Sequence, residues 1–284
     1  MKKTLTLALI IPVYNEEKRL KVCLDAIAAQ TVMPDEVIIV DNNSTDGSMK
    51  IAKRYPFVRI VQEKRQGFTP ARNRGFNSAH SDILGRIDVD SVIDPNWTKS
   101  VEKVFADKSV SGATGPGVTG LLPRMHRPSS AIWSQLYFFW QRKFYGVPVL
   151  WGANMAVRRT AWQQIKNDVC PDDRIVHEDH DISLLLLHAG GKLVYNSAIR
   201  MRTNTQTYHF FPKLMTYTRR RHTTRAYHRG RGTYIPNMST AAWLWRGLLY
   251  ILWSPMFLVF YSISFITWPL DALMHQLGRT SWMD

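Results

Sequence analysis

The sequence Gly85-Arg86-Ile87-Asp88-Val89-Asp90-Ser91 contains two carboxylates, one residue apart, at the end of an apolar run. Alternate residues of a β-strand face the same side, so Asp88 and Asp90 can reach one ligand from a strand end. Mg²⁺ and Mn²⁺ take oxygen ligands, commonly one or two carboxylates together with substrate phosphates. The stretch therefore indicates either a metal–diphosphate site or a solvated acidic turn before Asp94-Pro95.

Upstream of this stretch, short apolar runs alternate with helical patterns. Three of four β-compatible runs are each followed by a helix, and this order predicts an α/β domain with a parallel, doubly wound sheet. The third of these helices has Thr69 as its expected N-cap and Pro70 at its first position. The predicted strands are Leu5–Val13, Glu36–Val40, Val58–Val61 and Ile83–Val89.

Polar clusters follow three of the predicted strands, at Pro12–Glu16, Asp41–Ser44 and Asp88–Asp90. In doubly wound sheets ligands bind at the carboxyl ends of the strands. Because separate strand ends would offer carboxylates and amides to one crevice, the three clusters together favour a binding site over a simple turn.

The composition changes after residue 110. Glycines and Pro116 between Gly112 and Gly120 indicate a flexible connection, and Ala131 to Val149 is rich in aromatic side chains. Such a segment suits a helix at a membrane interface or a packed core helix equally well. Strands are predicted again at Trp151–Val157 and Lys192–Asn196.

A second acidic cluster, His177-Glu178-Asp179-His180-Asp181, precedes an apolar helix predicted from Ile182 to Ala189. The helix dipole favours a carboxylate at a helix N-terminus, which accounts for one of these acids. Three carboxylates and two imidazoles exceed what capping requires. One carboxylate is therefore a candidate general base for an incoming hydroxyl.

The net charge of +15 is concentrated near the C-terminal end. Between Ile182 and Leu270 there are eleven Lys and Arg and no acidic residue, which leaves +4 for the rest of the chain. The uncharged segment Gly247–Leu270 follows, and as a helix it would cover roughly 36 Å, enough for a hydrocarbon core of about 30 Å. This arrangement favours a membrane partner over nucleic acid and the cytoplasmic face of the membrane, although a buried soluble helix is the alternative.

The cysteines and the N-terminal sequence agree with a location on the cytoplasmic side of the membrane. Cys23 and Cys170 form no disulfide framework or metal-ligand pattern, as expected in a reducing cytosol. The apolar run that ends at Pro12 is too short to span a membrane and lacks a small-residue cleavage site, so we interpret it as a strand rather than a signal peptide.

Taken in order, several motifs resemble the family 2 glycosyltransferases of the GT-A fold, over roughly Leu5 to Tyr195. The resemblance implies inverting transfer of a sugar from a nucleotide diphosphate sugar, with a UDP-sugar as the expected donor and Mg²⁺ or Mn²⁺ as the cofactor. The motifs are Ile11-Pro12-Val13-Tyr14-Asn15-Glu16, Val40-Asp41-Asn42-Asn43-Ser44-Thr45-Asp46-Gly47, Gly67 with Ala71-Arg72-Asn73-Arg74-Gly75, Asp88-Val89-Asp90 and Glu178-Asp179.

The resemblance also implies which residues contact the nucleoside. Pro12, Tyr14 and Glu16 would border it, and Asp41 would accept a hydrogen bond from the base. Arg72 would lie near the nucleotide or its phosphates.

For the diphosphate and the donor sugar, the resemblance implies that Asp88 holds the nucleotide and Asp90 the metal. Trp151 and Gly152 would border the donor sugar and the acceptor. Many relatives place a His after the last strand as a further metal ligand. Here Arg200-Met201-Arg202 stands near that place, and His209 is the nearest substitute.

The Glu178-Asp179 pair supplies the catalytic residues in this comparison, with Asp179 as the general base. Relatives that make polymers often carry Gln-x-x-Arg-Trp beyond this pair, whereas Thr218-Arg219-Arg220-Arg221-His222 has no Trp. Transfer of a single sugar, to a lipid or lipid-linked acceptor, is therefore expected. The three arginines would contact a lipid-linked phosphate or the membrane surface.

We expect a glycosyltransferase domain at 1–232, with a nucleotide-binding half at about 1–110 and an acceptor half at about 111–232, and a membrane-associated tail at 233–284. Two alternatives belong to other classes. A metal-dependent nucleotidyltransferase would use a similar sheet, and a basic membrane-binding module would have no catalytic role. Acids at several strand ends argue against the module.

Overall fold

The computed structural model describes residues 5–119, 148–203 and 210–233. Most of the aromatic stretch 131–149, the residue His209 and the apolar segment 247–270 lie outside the described residues. Within the described ranges, no helix is both long enough and apolar enough to cross a membrane.

The strands alternate with the helices along the first half of the chain, as the sequence predicts. The strands are β1 Leu7–Val13, β2 Glu36–Asp41, β3 Val58–Gln62, β4 Ile83–Ile87, β5 Ser91–Ile93, β6 Val110–Thr114, β7 Gly117–Thr119, β8 Asn154–Arg158, β9 Lys192–Tyr195 and β10 Met201–Thr203. The helices are α1 Glu17–Ala28, α2 Ser48–Ala52, α3 Phe68–Ser78, α4 Trp97–Phe105, α5 Arg159–Ile165, α6 Glu178–His188 and α7 Phe210–Gly230.

In the described part of the chain, a seven-stranded sheet has the order β3-β2-β1-β4-β8-β6-β9. Pairing is parallel from β3 through β4 and between β6 and β9, while β8 runs antiparallel to both of its neighbours. The α/β fold with a mostly parallel sheet is therefore confirmed. A smaller, three-stranded sheet has the order β5-β10-β7.

Apolar side chains fill both faces of the main sheet. Residues of β1 alternate between the faces: Leu9 and Ile11 join a core with α1 and α4, whereas Ala8 and Ile10 join a core with α3, α5 and α6. Burial on both sides explains why β1 and β2 are nearly continuous apolar runs rather than alternating ones.

The glycine-rich stretch 112–119 is ordered structure, so the prediction of a flexible connection was wrong for these residues. Gly112 lies within β6, and Gly117 begins β7. A Cβ atom at Gly117 would collide with the ring of Trp151. These glycines are needed for close packing rather than for flexibility.

Two predicted helix starts also differ from the structure. Helix α3 begins at Phe68 with Gly67 as its N-cap, because the carboxylate of Asp173 accepts the N–H of Phe68 at 2.8 Å; Thr69 is inside the helix. Helix α6 begins at Glu178, four residues before the predicted Ile182, so the acidic cluster forms its first turn.

Helix α3 lies unusually close to the sheet at Gly75. A Cβ atom there would collide with Cγ2 of Ile10 and approach Cγ2 of Val40 to 2.9 Å. We predict that Gly75→Ala destabilises the protein by about 1–3 kcal/mol, despite the helix propensity of alanine, because the buried interface is overpacked.

Urea unfolding would measure this effect. Gly230→Ala is the matched control, because nothing lies within 4 Å of a Cβ atom at that helix end. The control should leave the unfolding midpoint unchanged or raise it slightly. Equal midpoints for Gly75→Ala and wild type would contradict the packing argument.

Candidate active site

The loops after β1 and β2 are tied together at the carboxyl edge of the sheet. Asn15 has a left-handed backbone (φ 53°), donates its N–H to Ser44 Oγ at 3.2 Å, and accepts the N–H of Thr45 at 2.7 Å. Asp41 accepts the N–H of Ser44 at 2.9 Å. Two of the three predicted polar clusters are therefore adjacent, with Tyr14 half exposed beside them.

Asn42, next to Asp41, organises the loop that leads into α3. Its buried amide donates to the carbonyls of Glu63 at 2.9 Å and Arg65 at 2.8 Å, and its side-chain oxygen accepts the N–H of Gly67 at 2.9 Å. This asparagine holds the loop before α3 against the end of β2.

The Asp88–Asp90 stretch follows β4 and lies over the buried face of α1. Burial raises the pKa of Asp88 to about 6. The charge of Arg86 opposes this rise, and the charges of Asp90 and Glu178 add to it. Burial together with Asp90 and Asp88 raises the pKa of Cys23 in α1 to about 12. Several carboxylates are thus crowded at this strand end, and Cys23 is a neutral thiol rather than a nucleophile.

Glu178 links both halves of the chain through two buried arginines. Its carboxylate contacts Nη1 of Arg86, and its other oxygen accepts Nη1 of Arg72 at 3.1 Å. Arg86 also donates to Asp88 at 2.8 Å. Burial opposes the charge of Arg86, but Glu178 and Asp88 together raise its pKa.

Gly152 brings the base candidate next to this ion-pair cluster. Its N–H donates to Oδ2 of Asp179 at 2.8 Å. A Cβ atom at Gly152 would collide with Nη1 of Arg86 and lie 3.3 Å from both Asp179 Oδ2 and Glu178 Oε1. Only glycine fits at the point where these three side chains converge.

Asp179 is buried and surrounded by groups that stabilise its charged form. Burial raises its pKa, but the imidazoles of His177 and His180 and the N–H of Gly152 outweigh burial and hold that pKa well below the usual range. The His177 Nδ1 atom contacts Asp179 Oδ1, and the two imidazole rings are stacked with centroids 4.4 Å apart. Asp179 is therefore a carboxylate at neutral pH.

Two groups of side chains could hold a cation. The ligand atoms of His177, Asp179 and His180 lie within 4.8 Å of one another. Within this group, His177 Nδ1 and Asp179 Oδ1 are in direct contact with each other. Asp88 and Asp90 also offer hard oxygen donors, at a partly exposed strand end, which suits Mg²⁺ or Mn²⁺.

The described structure brings most of the predicted site residues to one edge of the sheet, although their roles stay predictions. Arg72, which the resemblance places near the nucleotide or its phosphates, has a fully buried guanidinium that donates to Glu178 and Asn73, and its role toward the nucleotide stays a prediction. Glu16 forms an ion pair with Arg19 at 2.9 Å. His209 lies outside the described residues. Pro12 is in β1, and Trp151 packs on Gly117.

Sequence reasoning assigned no individual role to Arg86, His177 or His180. A signal for Arg86 was available, because a charged residue inside the apolar run Ile83–Ile87 must be paired when it is buried. Its partner Glu178 is 92 residues away, and no local pattern identifies that pair.

A comparison with known protein families identifies the chain. The sequence model described as glycosyl transferase family 2 matches residues 8–166, more than half of the chain. The chain belongs to the family 2 glycosyltransferases. The matched region includes the Asp88–Asp90 cluster and Gly152 but ends before Glu178 and Asp179, so the base candidate rests on the structure and the motif resemblance.

Relatives of this family 2 chain include an uncharacterised glycosyltransferase, YibD, of Escherichia coli, 35% identical over 36% of this chain and 30% of the relative. Glycosyltransferase AglE of Haloferax volcanii is 32% identical over 39% of this chain and 36% of the relative. The chain thus spans about a third of the length of these curated relatives.

Two solved structures share the fold. Mannosyltransferase PcManGT from Pyrobaculum calidifontis, in complex with GDP-Man and Mn²⁺, matches with a TM-score of 0.59 at 19% identity, over 88% of this chain and 81% of that one. S. aureus TarS in complex with UDP-GlcNAc matches with a TM-score of 0.54 at 17% identity, over 71% and 59% of the two chains.

The buried ion pairs of Glu178 make a prediction about stability. Glu178→Gln should lower the free energy of unfolding by about 3 kcal/mol, because two buried guanidinium groups lose a shared counter-charge. Chemical denaturation would measure the change.

Asp168→Asn serves as the control, since Asp168 pairs with Arg231 at 3.4 Å and both side chains are about half exposed. We expect less than about 1 kcal/mol for this surface pair. If the two variants lost equal stability, the ion-pair cluster would not have the importance assigned to it here.

Proposed function

We propose that this chain is an inverting glycosyltransferase that moves a sugar from a nucleotide diphosphate sugar to a hydroxyl or phosphate of a lipid or lipid-linked acceptor. The observation that supports it best is the convergence of Asp88, Gly152, Glu178 and Asp179 at one sheet edge. The carboxylate that would accept the proton is in the first turn of α6, and the Asp88–Asp90 pair that would hold a divalent cation follows β4.

Asp179 would act as the general base. The acceptor oxygen attacks the anomeric carbon, its proton goes to Asp179, and the bond from the sugar to the diphosphate breaks with the electron pair leaving on the nucleotide. A base must be ionised before the reaction, and the environment of Asp179 keeps it so. Direct displacement needs no covalent nucleophile, in keeping with the buried neutral Cys23.

Glu178, Arg72 and Arg86 would hold the neighbouring site residues in position and would not themselves react. Both guanidinium groups share the Glu178 carboxylate, and Arg86 also holds Asp88. This chain of ion pairs would fix Asp88 for the nucleotide and leave Asp179 as the reactive member of the pair.

The donor set at Asp88 and Asp90 fits a divalent cation. Burial raises the pKa of Asp88, the charge of Arg86 opposes that rise, and the charges of Asp90 and Glu178 add to it, so a further positive charge would stabilise the carboxylates at this strand end. Asp90, with Asp88 beside it, would hold Mg²⁺ or Mn²⁺. When bound, the ion would neutralise charge on the departing diphosphate.

The experiment that tests the function is a donor screen. Detergent-solubilised protein would be incubated with UDP-, GDP- and dTDP-sugars and Mn²⁺ or Mg²⁺, including UDP-GlcNAc and GDP-Man. Release of nucleoside diphosphate from one donor supports the proposal. Pyrophosphate release from a nucleoside triphosphate would favour a nucleotidyltransferase instead. If neither product is detected, only a non-catalytic binding role remains.

Two substitutions test the assigned residues. Asp179→Asn should lower turnover by at least roughly 10²-fold, because the proton acceptor is lost. Asp90→Ala should lower turnover comparably and also weaken Mn²⁺ binding, measured by electron paramagnetic resonance.

Asp172→Asn is the control for both variants, because Asp172 pairs with the exposed Arg174 in the same region of the chain. It should keep turnover within about twofold of wild type. Near-normal turnover in a folded Asp179→Asn protein would remove Asp179 from the mechanism.

We further propose that the enzyme works at the cytoplasmic face of a membrane. Helix α7 has exposed basic residues, including Arg219 and Arg229, and contains no acidic residue. The apolar segment 247–270 follows in the sequence. Basic side chains near such a segment are attracted to anionic lipid.

Vesicle flotation tests this membrane proposal. The full-length protein should float with phosphatidylcholine vesicles and more completely when phosphatidylglycerol is added. Arg219→Glu with Arg229→Glu should remove the increase, whereas Lys99→Glu with Lys103→Glu, exposed on α4, should not. A protein that stays in the dense fraction with both vesicle types would contradict the proposal.

A further inference from the structure

Helix α7 is attached to the segment that carries the base candidate by hydrogen bonds from its buried side. The N–H of His177, which is the N-cap residue of α6, donates to Thr224 Oγ1 at 2.7 Å. Thr224 is fully buried, and its hydroxyl donates a hydrogen bond to the carbonyl of Arg220 at 2.6 Å. One turn of α7 therefore fixes the backbone at the start of α6.

A second connection lies one turn further along α7. His228 and Asp181 are both fully buried, and His228 Nε2 lies 3.0 Å from Asp181 Oδ1. A carboxylate only accepts hydrogen bonds, so Nε2 carries the proton. The other oxygen of Asp181 accepts the N–H of Cys170 at 3.0 Å, and His228 Nδ1 contacts Thr233 Oγ1 at 2.7 Å.

Between these two connections lies Asp179, which makes no bond to α7 in the contacts described. Thr224 holds His177, and the imidazole of His177 contacts Asp179 Oδ1. Thr223 adds a bond from its hydroxyl to the carbonyl of Ile175 at 2.5 Å. Helix α7 therefore holds the candidate base Asp179 indirectly, through His177, whose backbone N–H is hydrogen-bonded to α7.

We infer that Thr224 and His228 are positioning residues for the proposed transfer reaction, holding His177 and the first turn of α6 so that Asp179 faces the acceptor. This inference rests on the proposed function. It assigns to α7 a role in turnover in addition to its basic surface, and it explains why a helix with an exposed basic side presents threonine and histidine, rather than leucine, to α6.

The first measurement is independent of activity. In Thr224→Val, which keeps the shape and removes the acceptor, amide hydrogen exchange of peptides covering 171–181 should become faster. Peptides covering β1 should exchange as in wild type. Thr224→Ser, which keeps the hydroxyl, should restore slow exchange at 171–181.

The second measurement separates positioning from binding. With the donor identified by the screen, hydrolysis of that donor by water in the presence of Mn²⁺ should show kcat reduced roughly 10- to 100-fold in Thr224→Val, because small misplacements of a reacting group have effects of that size. The KM for the donor and the Kd for the nucleoside diphosphate should stay within twofold, and Thr224→Ser should recover most of kcat.

His228→Gln provides a second test should Thr224→Val fail to fold. Its kcat should also fall with little change in KM, while His222→Gln, an exposed histidine of the same helix, should match wild type. Unchanged kcat in folded Thr224→Val or His228→Gln would overturn the inference and leave the proposed function intact. Absence of turnover with every donor in wild type would overturn the proposed function, whereas the exchange result would still report on the contact.

Discussion

The shared use of one carboxylate, Glu178, by Arg72 and Arg86 is the interaction on which the site depends. The two arginines come from the first half of the chain, on α3 and β4, and the glutamate comes from α6. An unpaired charge in this position would be costly, so all three must come together or the buried site does not form. The same ion pairs orient Asp88, and therefore one constraint joins the candidate diphosphate site to the candidate base.

Much of the fold follows from local patterns. Apolar runs ended by polar clusters predicted β1, β2 and β4 to within about two residues, because strands buried on both faces are continuous in hydrophobicity. The clusters were expected to meet, since parallel strands end at the same sheet edge. Thr69 was chosen as an N-cap from local preference alone, whereas the actual start of α3 is fixed by Asp173, 105 residues from Phe68.

The parts of the site that could not be predicted are long-range pairs. The Arg86–Glu178 contact, the Gly152–Asp179 bond and the Thr224–His177 bond each join residues far apart in sequence. No periodicity encodes such partners. The glycines at 112–119 illustrate the same limit, because a glycine required by a neighbouring Trp151 ring looks in the sequence like a glycine in a mobile loop.

The antiparallel insertion of β8 between β4 and β6 has a consequence for how the protein is made. While the ribosome has produced only the first part of the chain, β4 is the open, apolar edge of a partial sheet, and such edges invite pairing with other chains. The edge closes only when Asn154–Arg158 pairs with Ile83–Ile87. The same pairing places Gly152 beside Arg86, so the strand that covers this sheet edge also carries part of the candidate site.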